Sequence, residues 1–147
     1  MESQETGLQR TASALHVLVV DDNSDAADTL CVLLRMWGHD CRVAYDGETG
    51  FRVARDYHPD CLLLDLAMPR MDGCTLARKL RTQPDLENAK LIALTVHVGE
   101  PFVRLAWDAG FDDYFPKPTD VADVKRLKEL LSAIAPPAAR TQEVARE

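Results

Sequence analysis

The stretch CLLLDLAMPRMDG, residues 61–73, runs four residues suited to burial straight into an acid, Asp65. An ionised carboxylate is expensive to bury without a partner. A proline and an Asp-Gly turn dipeptide follow at once, so the chain turns soon after the acid. The segment reads as a short buried strand ending in a carboxylate. Whatever compensates that charge must come from other elements.

The same grammar repeats on either side. LHVLVV (15–20) is a second apolar run, and it stops at Asp21-Asp22. Asn23 or Ser24 then caps a helix whose Ala27, Leu30, Cys31, Leu34 and Trp37 recur at helical spacing, with Gly38 as its stop. DCRVA (40–44) is a strand, and a helix over roughly 47–56 follows the Asp46-Gly47 turn. After 61–65 comes a loop and a helix near 73–82. KLIALT (90–95) is the fourth strand, followed by a helix with Pro101 in its first turn and Gly110 at its end. DYF (113–115) makes a short fifth strand. The last helix, about 119–134, carries Val121, Val124, Leu127, Leu131 and Ile134 on one face.

Strands alternating with helices predict an α/β fold with a parallel sheet covered on both faces. The runs at 15–20, 61–65 and 90–95 suit central positions. DCRVA, with Asp40 and Arg42, and the short DYF suit the edges. The order 2-1-3-4-5 satisfies both with right-handed crossovers. In such a sheet the ligand site lies beyond the carboxyl ends of the strands, at the switch point between strands 1 and 3.

The composition bounds the function. A chain of 147 residues with 46% hydrophobic and 28% charged residues fits one globular domain. The domain is expected over 15–134, with a flexible lead at 1–14 and a flexible tail or linker stub at 135–147. With 17 Lys and Arg against 24 Asp and Glu, the net charge of −7 argues against a nucleic-acid surface. No apolar run is long enough for a membrane span, and the first fifteen residues contain no signal-peptide core, so a cytoplasmic location is expected. Cys31, Cys41, Cys61 and Cys74 lack metal spacing and read as reduced core thiols.

The polar residues at the strand ends fall on one sheet edge: Asp21 and Asp22 after strand 1, Asp65 at the end of strand 3, Thr95 at the end of strand 4, and Lys117 after strand 5. Each alone has a plainer reading as a cap, a solvated strand end or a surface charge. Three converging carboxylates repel unless a cation joins them. Oxygen ligands with room for water suit Mg²⁺. A metal, a lysine and a hydroxyl around one carboxylate make a site for a phosphoryl group carried on Asp65.

VVDDN, LLLDLAMPRMDG, ALT and YFPKP resemble, in order and over about residues 15–134, the receiver domain of two-component response regulators of the chemotaxis-regulator type. The resemblance implies a flavodoxin-like three-layer (βα)5 sandwich. It implies Asp65 as phospho-acceptor, Mg²⁺ held by Asp21, Asp22, Asp65 and the main-chain carbonyl of Ala67, and Lys117 and Thr95 on the phosphate oxygens. It further implies a cis Lys117–Pro118 bond and a switch in which Tyr114 follows Thr95. The donor would be a histidine kinase or a histidine phosphotransfer protein.

Several neighbours refine this expectation. Met68, Pro69 and Met71 read as loop-shaping, and Asp72-Gly73 as a turn. Phe102, Leu105, Ala106 and Ala109 are expected to form the core face of the fourth helix, leaving Val103 and Trp107 off that face, either buried by helix rotation or the neighbouring loop, or beside Tyr114 as a partner surface or a homodimer surface across the fourth helix, fifth strand and last helix. Ala67 offers no side chain to orient water, which predicts slow self-dephosphorylation. His97 reads as a solvated loop residue, and Val96 is bulkier than the small residue usual there in this family. A phosphatase of the haloacid-dehalogenase type needs a second acid where Ala67 stands. A scaffold working without phosphorylation is the alternative, and Val96 is its one support.

Overall fold

The computed structural model describes residues 14–96, 100–118 and 121–134. The expected lead and tail, apart from Ala14, and His97 lie outside the described residues. Five strands form one parallel sheet: β1 (His16–Val20), β2 (Asp40–Ala44), β3 (Cys61–Asp65), β4 (Lys90–Thr95) and β5 (Asp113–Pro116), in the order β2-β1-β3-β4-β5. The helices are α1 (Ser24–Met36), α2 (Gly47–Tyr57), α3 (Gly73–Arg81), α4 (Glu100–Ala109) and α5 (Val121–Ser132). A short 3₁₀ turn at Pro84–Leu86 lies between α3 and β4; Pro84 opens it and Leu86 is buried beneath it.

Because side chains alternate along a strand, β1, β3 and β4 each feed two cores. Leu18, Val20, Leu62, Leu64, Leu91 and Ala93 pack with Ala54, Leu76, Leu80 and Ala106 from α2, α3 and α4. Val17, Val19, Leu63, Ile92 and Leu94 pack with Leu30, Leu34, Leu127 and Leu131 from α1 and α5. Each fully buried Leu contributes about 1.5–3 kcal/mol of transfer free energy. Cys31, Cys41 and Cys61 are free thiols buried in this packing, and Cys74 is half-buried. Among the described residues no helix is long and apolar enough to cross a membrane.

Helix entry follows the side chains at the turns. Asn23, Asp46 and Asp72 each accept a hydrogen bond from the backbone N–H three residues on, capping α1, α2 and α3. At the other end of α2, His58 is the C-cap in left-handed conformation, φ 54°. A side chain there is strained where glycine is not, and its contact with Asp85 at 3.5 Å is solvent-exposed and contributes little. His58→Gly is therefore expected to raise stability by about 0.5–1 kcal/mol, read as a higher urea midpoint at unchanged slope; a lower midpoint would contradict it.

The expected core face of α4 is only partly buried. Ala106 and Ala109 are buried, whereas Phe102 is 38% and Leu105 51% exposed. The two alanines are small enough to let the helix lie close to the sheet, and the larger residues stay at its rim. Val103 is half-buried and Trp107 is 47% exposed.

Candidate functional site

Strand register builds the site. Val20 pairs with Leu64, which puts Asp21 level with Asp65 one residue further along. Asp65 pairs with Leu94 and Thr95 with Pro116, so Thr95 and Lys117 reach the same edge. Main-chain bonds tie these ends together: Lys117 N–H donates to the Thr95 carbonyl at 3.0 Å, and Leu66 N–H to the Leu94 carbonyl at 3.2 Å.

The two strand-end acids are held alike. Asp21 Oδ1 accepts from Asn23 N–H at 3.0 Å, and Asp65 Oδ1 accepts from Ala67 N–H at 3.2 Å. Both are Asx turns, in which an acid bonds the backbone two residues on. Their other oxygens converge on one ammonium: Lys117 Nζ lies 2.9 Å from Asp21 Oδ2 and 3.3 Å from Asp65 Oδ2. Asp21 and Asp65 are buried, at 5% and 4% exposure, and Asp22 is exposed. The lysine is what makes burial of the two acids tolerable.

The electrostatics follow from that crowding. Burial pushes the Asp65 carboxyl up to about 6, the Asp21 charge pushes the same way, and Lys117 opposes both. Burial works to lower the Lys117 ammonium, but its hydrogen bond to Asp21 and the charges of Asp65 and Asp21 hold it above the ordinary lysine value. One carboxylate oxygen from each of Asp21, Asp22 and Asp65 lies within 4.8 Å of the others. These are hard oxygen donors with net negative charge, and they fit a divalent cation.

The other expected residues are placed as follows. Thr95 is buried at the end of β4. Tyr114, half-buried on β5 opposite Ala93, packs against the core under α2–α4. Ala67 is exposed beside Asp65. Val96 is 67% exposed, its side chain in solvent. The Lys117–Pro118 bond is trans, a correction to the expected cis bond, since no cis peptide occurs among the described residues. Trans is the intrinsically favoured isomer of an X–Pro bond, and Lys117 reaches both acids with it. The Asn23 and Ala67 N–H groups, which fix the acids, were missed; the signal was there in two acids ending apolar runs just before a turn.

The family model for the response regulator receiver domain matches residues 17–129. Over 117 residues, 78% of this chain, the sequence is 33% identical to the DNA-binding dual master transcriptional regulator RpaA of Synechocystis; the chain spans about half of that protein, 48% of its length. It is 34% identical over 128 residues to an uncharacterised 14.6 kDa protein of Leptolyngbya boryana, covering 87% of this chain and 98% of that one. The receiver domain of the sensor histidine kinase PA1611 from Pseudomonas aeruginosa, solved with a magnesium ion coordinated in its active-site cleft, superposes with a TM-score of 0.71 at 27% identity, over 81% of this chain and 98% of that one. With an acid cluster bridged by a lysine at the switch point of a 2-1-3-4-5 sheet, and with most of its length matched, the chain belongs to the response regulator receiver domain family.

Proposed function

We propose that the chain is a phosphorelay receiver that accepts a phosphoryl group on Asp65 from a phosphohistidine of a histidine kinase or a histidine phosphotransfer protein, in a Mg²⁺-dependent reaction. The observation that carries this reading is the Lys117 ammonium shared between Asp21 and Asp65 at the sheet edge, beside Asp22. Asp21, Asp22, Asp65 and the Ala67 carbonyl would hold Mg²⁺, which supplies positive charge to the phosphoryl oxygens when bound. Asp65, though raised to about 6, is ionised at neutral pH and is the nucleophile. One Asp65 carboxylate oxygen forms the O–P bond as the P–N bond to the donor imidazole breaks and the electron pair leaves with that nitrogen. Lys117 turns from the carboxylate to the phosphoryl oxygens, and the Thr95 hydroxyl donates to them.

The same event would switch a surface. Drawing Thr95 towards the phosphate opens room beside β4, and Tyr114 turns into it, a shift between two packings of one fold. The partner face then comprises Tyr114, the exposed ring of Trp107 and the half-buried Val103, with a protein partner or a second copy as occupant.

The test is intact mass after incubation with Mg²⁺ and a small phosphodonor. A gain of one phosphoryl group, absent with EDTA, is expected; no gain would sink the receiver reading. Followed in time after donor removal, the adduct is expected to last minutes or longer, because Ala67 has no side chain to orient attacking water. Loss within seconds would contradict that assignment.

A further inference from the structure

The loop that carries Asp65 into α3 is packed at both ends against residues without side chains. Gly73, the first residue of α3, is buried, and its N–H donates to the Leu66 carbonyl at 3.1 Å, closing the loop on itself. A Cβ placed on Gly73 would lie 2.4 Å from the Asp65 carbonyl oxygen, 2.9 Å from Leu66 Cα and 3.0 Å from the Asp65 carbonyl carbon. All three are main-chain atoms, so no flexible side chain is available to move aside. From the other side, a Cβ on Gly47, the first residue of α2, would lie 2.9 Å from Cβ, O and Sδ of Met71. Between these two contacts the loop turns tightly, with Met71 N–H on the Pro69 carbonyl at 2.8 Å and Arg70 at φ 67°.

We propose that Gly73 is a positioning residue for the Asp65 site, its bare α-carbon setting the path of residues 65–67, with Gly47 bracing the same loop at Met71. The inference rests on the receiver reading above. Asp65 is the end of a central strand paired on both sides, to β1 and β4, so a methyl group at position 73 cannot displace the strand. The strain passes to the Leu66 and Ala67 peptides and to the start of α3. Those peptides carry the N–H that holds Asp65 Oδ1 and the Ala67 carbonyl assigned to Mg²⁺. A shift there misaims both while deleting no functional group, and a displacement of about 1 Å in a positioned site costs on the order of 100-fold.

The experiment compares Gly73→Ala with the wild type by calorimetric titration of Mg²⁺ and by phosphorylation rate with a small acyl phosphate, at a temperature where both are folded. Mg²⁺ binding about 5-fold weaker or more, with phosphorylation at least about 10-fold slower, is expected. Gly110→Ala serves as the structural control: Gly110 has φ 105° and meets the Arg81 side chain at the opposite sheet edge, so this variant loses stability and keeps its Mg²⁺ affinity. A Gly73→Ala affinity within twofold of the wild type overturns the proposal. If Gly73→Ala does not fold, amide exchange in the wild type carries the test. Saturating Mg²⁺ is expected to slow exchange of the Gly73 N–H severalfold, and an unchanged rate overturns the coupling. A wild type that neither binds Mg²⁺ nor takes up phosphate overturns the receiver reading itself and the proposal with it.

Discussion

Asp65→Asn is expected to abolish phosphoryl uptake and, in the same protein, to raise the stability of the metal-free fold by about 2–3 kcal/mol at pH 7.5. The first effect follows from the loss of the nucleophile. The second follows from the crowding that makes it one. Asp65 is 4% exposed, and its carboxyl is raised to about 6 by burial and by Asp21 in spite of Lys117. An acid whose folded pKa lies above its unfolded value of 3.8 binds more protons folded than unfolded. Stability therefore falls as pH rises from about 4 to about 6, and the ionised form carries the full cost above that window. Asparagine keeps the shape without the charge, so the variant lacks this component of the pH profile. Chemical denaturation of both proteins in EDTA from pH 4 to 8 reads it directly. A variant no more stable than the wild type at pH 7.5 would mean that Lys117 alone neutralises the pair.

The parts of this architecture that were legible in the sequence are those set by composition along single segments. CLLLD and LHVLVV announce buried parallel strands because each holds four consecutive apolar residues, Cys61–Leu64 and Val17–Val20, that suit burial on both faces, and β3 is buried along its whole length. The site edge was legible because acids end two of those runs. What was hidden depends on contacts between segments. That Phe102 and Leu105 stay exposed while Ala106 and Ala109 are buried depends on how α4 seats against the sheet, a contact between segments. Asp72-Gly73 is a sufficient turn signal, so the contact of Gly73 with the Asp65 carbonyl left no separate trace. The convergence of Asp21 and Asp65 could be placed on one edge, but the division of their oxygens between Asx turns and Lys117 needs the strand register and the loop closure together.

Removing the ammonium tests that division from the other side. Lys117→Met keeps most of the side-chain stem, which is 20% exposed, and deletes the charge 2.9 Å from Asp21 and 3.3 Å from Asp65. Breaking one side of a buried ion pair leaves uncompensated charge behind and costs about 3 kcal/mol. Because the two acids hold the Lys117 ammonium above the ordinary lysine value of 10.5, its contribution is present across the neutral range and is lost only as pH rises through and above that value. The variant has a partial escape that the wild type does not need: Asp65 can take up a proton. Its destabilisation is therefore expected to be larger at pH 8 than at pH 5. Mg²⁺ offers the other escape. In the wild type a cation approaching Asp21 and Asp65 must displace the ammonium from their Oδ2 atoms, and in the variant it need not. Mg²⁺ is thus expected to bind Lys117→Met about 10-fold more tightly and to restore much of its lost stability by mass action, while phosphorylation slows because no ammonium meets the phosphoryl oxygens. Titration calorimetry and denaturation with and without Mg²⁺ separate these effects. Weaker Mg²⁺ binding in Lys117→Met would show that the lysine orders the carboxylates for the cation and does not compete with it.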